Sequence, residues 1–277
     1  MNTRIRALDF SGPCLVMAIV NCNDDSFYPL SRAAAQEAAD RAFAAEEAGA
    51  SIIDFGGESS RPGSEYISAE EELKRIIPVI EAFRKRSDLP VSVDTRKAVV
   101  AHAALNAGAD IINDISALRD DAEMASLCAE MGAAVILMHK KGNPRDMQDS
   151  PFYEDALTEV NAFLLSAADS TQKAGILREK IILDPGFGFG KRTEDNLTLL
   201  ARLAEIRLNG YPVMAGLSRK SFIGEITGRQ VNGRLAGTLA ANAAAIMAGA
   251  DIIRVHDIDE NVDLVRTLHA IMKMKRV

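Results

Sequence analysis

The chain has 277 residues, of which 48% are hydrophobic, and a formal net charge of −7 from 32 basic and 39 acidic side chains. This length suits one barrel-type domain spanning residues 1–277, and the composition predicts a water-soluble globular protein with an ample core. A mildly acidic chain is poorly suited to bind nucleic acid or an anionic membrane surface, so we expect neither as a partner.

The cysteines and the first residues bear on where the protein works. Cys14, Cys22 and Cys128 form no CxxC pair, and three cysteines cannot all pair with one another. We therefore expect reduced thiols in a cytoplasmic protein. The stretch MNTRIRALDF is polar, and the apolar run 15–20 is far too short to cross a membrane.

Short apolar runs of strand length recur along the chain, with helical patterns between most of them. The predicted strands are 15–20, 51–56, 91–95, 110–115, 134–139, 181–186, 213–218 and 251–256. Strands that alternate with helices and lack hairpin turns pair in parallel through βαβ crossovers. Eight such units predict an α/β protein with the (β/α)8 TIM-barrel fold, and an open doubly wound sheet is the alternative.

Individual elements carry further signals. Thr95 is placed to cap a helix, and Gly108 is placed to end that helix in a left-handed conformation. Between the fifth and sixth strands we expect a long charged loop and then one helix over about 154–174. The alanine-rich stretch 235–250 contains Asn242 and is predicted to pack closely on the barrel instead of crossing a membrane.

Three similar stretches begin with Gly-Ala-Asp/Ser-Ile-Ile and predict the same helix end, turn and strand start. They are GASIIDFGG (49–57), GADIINDIS (108–116) and GADIIRVHD (249–257), with Asp54, Asn113 and Arg254 in the sixth position. Because side chains alternate along a strand, these three residues are expected to face the barrel interior at similar heights near its carboxyl-end mouth. A buried cation needs a partner, so Arg254 is expected to meet an anion.

Nearly every predicted strand ends in polar side chains, which a purely structural barrel would not need. They are Asn21, Asp54, Asp94, Asn113, His139, Asp184, Ser218, Lys220, Arg254 and His256. The carboxylates and the Asn113 amide suit a flat heterocycle with adjacent N–H groups, whereas the cations, with Arg61, suit an anion. The helix start after Ser218 offers backbone N–H groups to a second anion. The pattern predicts a ligand with a heterocyclic head and a phosphate, together with a second anionic partner.

Eight blocks along almost the whole chain resemble, in order, the motifs of the dihydropteroate synthase family. They are VNCNDDSFY, DFGGESSRPGS, VSVDTRK, GADIINDIS, MHKKGNP, LDPGFGFGK, GLSRKSFIG and IIRVHD. The resemblance implies that 6-hydroxymethyl-7,8-dihydropterin diphosphate is joined to 4-aminobenzoate, giving 7,8-dihydropteroate and diphosphate. It also implies Mg²⁺ as a cofactor and a homodimer to which the 235–250 region contributes.

Carried over by motif, the resemblance implies roles for individual residues. The pterin would be held by Asp94, Asn113, Asp184 and Lys220. The diphosphate would be held by Asn21, Arg61, Arg254 and His256, with Mg²⁺ at Asn21. The aminobenzoate pocket would be lined by Ser60, Arg61, Pro62, Phe189, Ser218 and Lys220. Asp25, Phe27, Asp54 and Gly216 complete the expected substrate contacts, and the expected catalytic residues are Asp94, Lys220, Arg254 and His256.

The first loop departs from the family pattern Asn-Val-Thr-Pro-Asp-Ser-Phe. From Asn21 to Phe27 this chain reads Asn-Cys-Asn-Asp-Asp-Ser-Phe, which replaces the proline by Asp24. The change frees backbone and adds an acid near the expected diphosphate. Two other functions therefore stay open: a non-catalytic pterin binder, and a methyltransferase of the pterin-barrel class that passes a methyl group from a methylated folate to a corrinoid protein.

Overall fold

A computed structural model describes residues 6, 8–22, 32–58, 66–142 and 151–274. Its strands are Leu15–Asn21 (β1), Ile52–Gly56 (β2), Val91–Asp94 (β3), Ile111–Asp114 (β4), Ala134–Met138 (β5), Ile181–Asp184 (β6), Met214–Ala215 (β7) and Ile252–Val255 (β8). Its α-helices are Arg32–Ala48 (α1), Ala69–Arg84 (α2), Ala98–Ala107 (α3), Met124–Met131 (α4), Ala156–Lys173 (α5), Thr193–Ala201 (α6), Leu203–Arg207 (α7), Ser221–Thr227 (α8), Leu235–Met247 (α9) and Ile258–Met274 (α10).

The strands form one parallel sheet in the order β6–β5–β4–β3–β2–β1–β8–β7. A bridge between Leu183 and Val213 joins the two ends of this order. The sheet therefore curls into a nearly closed barrel, with helices between successive strands on its outside. The predicted (β/α)8 barrel is confirmed, and the open doubly wound alternative is wrong.

The interior of the barrel has an apolar floor. It consists of Met17, Ile52, Ile111, Ile136, Ile182, Met214 and Ile252, all nearly or fully buried. Two residues further along four of these strands, the inward position becomes polar, at Asp54, Asn113, Asp184 and Arg254. Because side chains alternate along a strand, the polar residues lie directly above the floor on the carboxyl side. This change from apolar to polar side chains marks the carboxyl side of the barrel as the side where a ligand can enter.

The Gly-Ala-Asp/Ser repeat builds the opposite, amino-terminal end of the barrel. Asp110 accepts the N–H of Val91 at 2.9 Å and pairs with Arg84 at 2.7 Å. Asp251 likewise accepts the N–H of Val213 at 2.8 Å. Asp110, just before β4, thus binds the first residue of β3. Asp251, just before β8, binds the residue that precedes β7. The Gly-Ala-Asp/Ser start of the repeat is structural, whereas its sixth position reaches the mouth.

Replacing Asp110 by alanine is expected to lower the free energy of unfolding by about 3 kcal/mol, because Arg84 and the Val91 N–H lose a buried partner. Asp88→Ala is the matched control. Asp88 also pairs with an arginine, Arg6, at 2.6 Å, but its side chain is 98% exposed, so its loss should cost at most about 0.5 kcal/mol. Urea unfolding of both variants measures the difference, and equal losses would contradict the structural role of Asp110.

Helix α3 begins later than its sequence suggested. Lys97 stands at its N-cap without a side-chain cap hydrogen bond, and the N–H of Ala98 is instead bound by Asp121 at 2.8 Å. Thr95 accepts the N–H of Lys97 at 3.3 Å, so the prediction that Thr95 caps the helix is wrong. Gly108, with φ of +112°, ends the helix in the left-handed conformation, as predicted.

Two further helix predictions are confirmed. The helix expected over about 154–174 is α5, Ala156–Lys173. In α9, Asn242 is fully buried and donates to Asn261 Oδ1 of α10 at 2.7 Å, which agrees with close packing of the alanine-rich stretch. Within the described ranges, no helix combines the length and apolar character needed to span a membrane.

Candidate active site

Arg254 lies between two carboxylates at the mouth of the barrel. Its Nη2 is 2.6 Å from Asp54 Oδ2 and 3.1 Å from Asp94 Oδ2, and its Nε donates to Asp54 Oδ2 at 2.7 Å. Asp54 is fully buried, whereas the side chains of Arg254 and Asp94 are 21% and 12% exposed. The sequence predicted an anion beside Arg254. The protein itself provides that anion, as the carboxylates of Asp54 and Asp94.

Asn113 extends this cluster and leaves one acceptor unmatched. Its Nδ2 donates to Asp54 Oδ2 at a long 3.4 Å. The other oxygen, Asp54 Oδ1, is buried and has no hydrogen-bond partner among the residues that the structure describes. A buried acceptor without a partner is costly, and a ligand that donates a hydrogen bond would remove that cost. The polar layer is thus suited to a ligand that carries N–H groups.

Burial shifts the pKa of three ionisable groups at the mouth, Asp94, Asp184 and Lys220, toward neutrality. It raises the pKa of Asp94 to about 7, although the Arg254 guanidinium opposes the shift. It also raises the pKa of Asp184, against the hydrogen bond from the Gly186 N–H. In the opposite direction, burial lowers the pKa of Lys220 to about 8, against the attraction of Asp184. Acids and bases shifted toward each other in one cleft are typical of functional sites.

Lys220 packs against the loop that follows β6. Its Nζ lies 4.1 Å from the centre of the Phe189 ring, and this distance permits a cation–π interaction. A Cβ at Gly188 would come within 3.0 Å of Lys220 Cδ, so the absence of a side chain there leaves room for the lysine. Phe189 and Lys220, which were expected to share a pocket, are therefore in contact.

The loop 186–191 is held from within by Lys191, a residue that sequence reasoning missed. Lys191 Nζ donates to the carbonyl oxygens of Gly186 at 2.8 Å and Phe189 at 3.1 Å, and it lies 3.0 Å from His139 Nδ1. The residue is only 3% exposed, and burial lowers the pKa of its amine to about 7. The available signal was a lysine directly after a Gly-Phe-Gly-Phe-Gly turn, where free carbonyl oxygens need a donor.

Gly186→Ala is expected to destabilise the protein far more than Gly228→Ala. Both glycines have nearly the same backbone angle, φ of +67° and +68°, but a Cβ at Gly186 would lie 1.9 Å from the carbonyl oxygen of His139, whereas nothing lies within 4 Å at Gly228. Gly228→Ala should therefore report the backbone strain alone, about 1 kcal/mol. Gly186→Ala should exceed it by about 2 kcal/mol or more in urea unfolding. Similar losses would show that the loop yields easily.

Ser218 and His256 meet where β7 and β8 end. Ser218 Oγ lies 3.0 Å from His256 Nδ1 and accepts the backbone N–H of His256 at 3.2 Å. The next residue, Arg219, has φ of +57°, and its guanidinium pairs with Asp257, with Nε donating at 3.0 Å. The two turns are therefore tied together by a hydrogen bond and an ion pair. This ties Ser218 and Lys220, before and after Arg219, to the turn that carries His256.

Asn21, the expected metal ligand, ends β1 at the edge of the mouth. It is exposed, and its backbone carbonyl accepts a hydrogen bond from Arg41 at 2.8 Å. A Cβ added to Gly56 would lie 4.0 Å from Asn21 Oδ1 and 3.8 Å from Asp94 Cβ, so both side chains flank the end of β2. Within the described residues no group of three or more His, Cys, Asp or Glu could hold a metal. One amide oxygen fits Mg²⁺ only when substrate and water supply the other ligands.

The cysteines are poor nucleophiles. Burial raises the pKa of Cys14, Cys22 and Cys128 to about 12 in each case. Near neutral pH these thiols stay protonated, and only the thiolate reacts readily. Cys22 directly follows Asn21, but burial disfavours the thiolate that a nucleophilic role at the mouth would need.

Some expected site residues lie outside the described part of the chain: Asp25, Phe27, Ser60, Arg61 and Pro62. The divergent stretch after Cys22 lies outside it as well. The other expected substrate, catalytic and metal residues stand near the carboxyl ends of their strands or in the turns that follow: Asn21, Asp54, Asp94, Asn113, Asp184, Phe189, Gly216, Ser218, Lys220, Arg254 and His256. Direct contacts join Asp54, Asp94, Asn113 and Arg254, and separately Ser218 with His256 and Lys220 with Phe189.

The similarity of this chain to known proteins extends over all of the described site residues. The sequence profile described as "Pterin binding enzyme" matches residues 17–256, which include the site from Asn21 to His256. The dihydropteroate synthase of Escherichia coli strain K12 is 44% identical over 270 residues, which are 97% of this chain and 95% of that protein. The chain belongs to the dihydropteroate synthase family.

Solved structures of this family share the fold over nearly the full length. The dihydropteroate synthase of Yersinia pestis in a complex with a sulfonamide drug has a TM-score of 0.90 and 41% identity, with 96% of both chains covered. The enzyme of Xanthomonas albilineans with 4-aminobenzoic acid has a TM-score of 0.88 and 42% identity, with 96% of this chain and 95% of that chain covered. Both likenesses extend well beyond the motifs.

Proposed function

We propose that this barrel is a dihydropteroate synthase, which joins 6-hydroxymethyl-7,8-dihydropterin diphosphate to 4-aminobenzoate and releases 7,8-dihydropteroate and diphosphate. The observation that carries the proposal is the placement of Arg254 beside Asp54, Asp94 and Asn113 in one mouth. Acceptors for a heterocycle with N–H groups and a donor for an anion thereby lie within one substrate's length of each other. Membership in the synthase family supports the same reaction.

The acceptor side of the mouth would bind the pterin. Asp184, Asn113 and Asp94 would face its ring N–H and amino groups, and Asp54 Oδ1 supplies a buried acceptor that lacks a partner in the described structure. Lys220 would donate to a ring acceptor. Since buried polar groups are satisfied only by a ligand of matching pattern, this side would set the specificity for the heterocycle.

The donor side would bind the diphosphate. Arg254 and His256 would donate to its oxygens, with Arg61 and Asn21 as further contacts carried over from the family. A guanidinium fork matches phosphate geometry, and so Arg254 can exchange part of its pairing with Asp54 and Asp94 for diphosphate oxygens. Mg²⁺ at Asn21, when bound, would neutralise charge on the leaving group.

The second substrate would enter beside the turn after β7. Ser218 and the helix start that follows would take the carboxylate of 4-aminobenzoate, next to Gly216, while Phe189 and Lys220 would line the ring. Ser60, Arg61, Pro62, Asp25 and Phe27 are the contacts proposed from the remaining loops. The X. albilineans synthase, which shares this fold, was solved with 4-aminobenzoic acid.

The reaction needs no protein nucleophile. The C–O bond between the pterin methylene group and diphosphate breaks, and its electron pair leaves with the diphosphate held by Arg254. The Asp94 carboxylate, close to Arg254, stabilises the methylene cation that remains. The amino nitrogen of 4-aminobenzoate then forms the C–N bond and releases one proton to diphosphate or water. Stabilisation of developing charge and the positioning of two substrates supply the rate enhancement.

Assembly and cellular location are also part of the proposal. We infer a single pterin-binding domain over 1–277 that works as a cytoplasmic homodimer. Met247, a large apolar side chain on α9, is 62% exposed in the 235–250 region, where the family resemblance expects the subunit contact. Sedimentation of the purified protein tests this assembly, and a monomer at micromolar concentration would contradict it.

The reaction is tested by measuring diphosphate release from the pterin diphosphate with Mg²⁺, with and without 4-aminobenzoate. We expect release that depends on 4-aminobenzoate and equals the dihydropteroate formed, and loss of release when EDTA removes the metal. Tight pterin binding without product would overturn the synthase and leave a pterin binder. Methyl transfer from a methylated folate to a corrinoid protein would support the transferase instead.

A further inference from the structure

The turn after β7 contains a backbone conformation that its residue disfavours. Arg219, between Ser218 and Lys220, has φ of +57°, in the left-handed region that residues other than glycine rarely occupy. Such a conformation persists only where the surrounding structure holds it. The contacts of Arg219 therefore determine where the side chains of Ser218 and Lys220 stand.

Two residues at the start of α9 bind both backbone groups of Arg219. The Arg219 N–H donates to Thr238 Oγ1 at 3.0 Å, and the Arg219 carbonyl accepts a hydrogen bond from Arg234 Nη1 at 3.0 Å. Thr238 is fully buried, and its own N–H donates to the carbonyl of Arg234, the N-cap residue, at 2.8 Å. Arg234 and Thr238 together form the Arg219 clamp. Neither residue has a role in the proposed reaction.

A glycine in α8 leaves the room that Arg234 occupies. A Cβ at Gly224 would lie 2.5 Å from Arg234 Nε, which is too close for a real contact. Gly224 is buried inside the helix that begins directly after Lys220, a place where glycine weakens a helix relative to alanine. The guanidinium lies against this glycine and donates from Nε to the Arg229 carbonyl at 3.1 Å, as well as from Nη1 to Arg219.

We propose that Arg234 and Thr238 are positioning residues for the two substrates. By holding the backbone of Arg219 they fix Ser218, proposed to bind the 4-aminobenzoate carboxylate, and Lys220, proposed to contact both substrates. A site whose donors are already in place loses less conformational entropy when its ligands bind. Both residues act through Arg219 and not on a reacting atom. The proposal rests on the proposed function, which assigns Ser218 and Lys220 their ligands.

Steady-state kinetics of Thr238 variants test this role. Thr238→Val keeps the size of the side chain but removes the acceptor of the Arg219 N–H, and we expect the KM for 4-aminobenzoate to rise about five- to tenfold. The KM for the pterin diphosphate should rise at most about twofold, because Asp94, Asn113 and Asp184 on other strands are also proposed to hold the pterin. Thr238→Ser keeps the hydroxyl and should resemble the wild type. A variant that was merely less stable would show a lower apparent kcat with both KM values unchanged.

Gly224 provides an independent test of the same contact. In Gly224→Ala the new Cβ displaces the Arg234 guanidinium from the Arg219 carbonyl, so this variant should raise the KM for 4-aminobenzoate as Arg234→Met does. The double variant should show no larger rise than Arg234→Met alone, since both substitutions remove the same hydrogen bond. Arg234→Lys, which keeps a donor, should recover part of the loss. Gly233→Ala is the matched control: the nearest contact of a Cβ there is an ordinary 3.5 Å, and both KM values should stay unchanged.

A second measurement needs no turnover. Hydrogen–deuterium exchange of peptides that cover 217–223 should be faster in Thr238→Val than in the wild type and in Thr238→Ser, because the Arg219 N–H loses its acceptor. Equal rises in both KM values, KM values that do not change, or unchanged exchange in Thr238→Val would overturn the role of the clamp. If the wild type made no dihydropteroate but exchange still responded to Thr238→Val, the proposed reaction would fail while the hold of the clamp on the turn would stand.

Discussion

Arg254→Met is expected to reduce turnover by about 10²–10³-fold, because the variant loses a donor to the proposed leaving group. It should also lower the free energy of unfolding by about 3 kcal/mol, since Asp54 and Asp94 would face each other in a buried site without their shared cation. Steady-state rates and urea unfolding measure the two effects. The stability loss should be larger at about pH 8 than at about pH 6, because at lower pH one carboxyl can take up a proton.

Two comparisons make this result specific to Arg254. Arg86→Met removes an exposed arginine and should change neither rate nor stability beyond about 0.5 kcal/mol. In the double variant Asp54→Asn/Arg254→Met, one carboxylate charge is gone, so its stability loss should be smaller than the sum of the two single losses. Additive losses would mean that Arg254 and Asp54 are not coupled, and that the pairing at the mouth has little energetic weight.

Asp94→Asn is expected to lower kcat/KM by about 10²-fold or more while leaving stability equal to or above that of the wild type at about pH 8. The substitution keeps the shape of the side chain but removes the charge proposed to stabilise the methylene cation. Arg254 retains Asp54 as a partner at 2.6 Å, so no buried cation is left unpaired. A variant that keeps full activity would exclude Asp94 from the proposed charge stabilisation.

The pH dependence of Asp94 follows from the sign of its shift. Burial raises its pKa from the ordinary value of 3.8 to about 7, so between these values the folded state binds the proton that the unfolded state has lost. The contribution of Asp94 to stability therefore falls as pH rises through this window, and Asp94→Asn should remove that slope. In the wild type kcat/KM should rise with pH through about 7 as Asp94 ionises. Titrations of the substrates themselves persist in the variant, and the difference between the profiles isolates Asp94.

The two substitutions separate activity from stability. Arg254→Met and Asp94→Asn should both reduce the rate, but only the first should unfold the protein more easily. The asymmetry arises because Arg254 is the cation that Asp54 and Asp94 share, whereas Asp94 is one of the two carboxylates around that cation. Because Asp54 and Asp94 lie close together, the stability of the site depends on Arg254.

Much of the fold and part of the site could be predicted from the sequence because the relevant signals are local. Apolar runs separated by helical patterns predicted the eight strands, and alternation along each strand placed Asp54, Asn113 and Arg254 on the interior face. Both rules involve residues a few positions apart, where backbone geometry fixes the side-chain direction whatever the rest of the chain does. The motif order then indicated the family, which the comparison with known proteins confirmed.

Only the tertiary structure determined which side chains and backbone groups contact one another. Arg254 bonds to Asp54 across 200 positions of sequence and to Asp94 across 160. The N–H of Ala98 is bound by Asp121, 23 residues away, and not by the nearby Thr95. Lys191 turns inward to carbonyl oxygens, and Arg96 reaches both Glu58 and Tyr66. Such contacts depend on strand register and on how the turns pack around the closed barrel, and no local pattern in the chain encodes either.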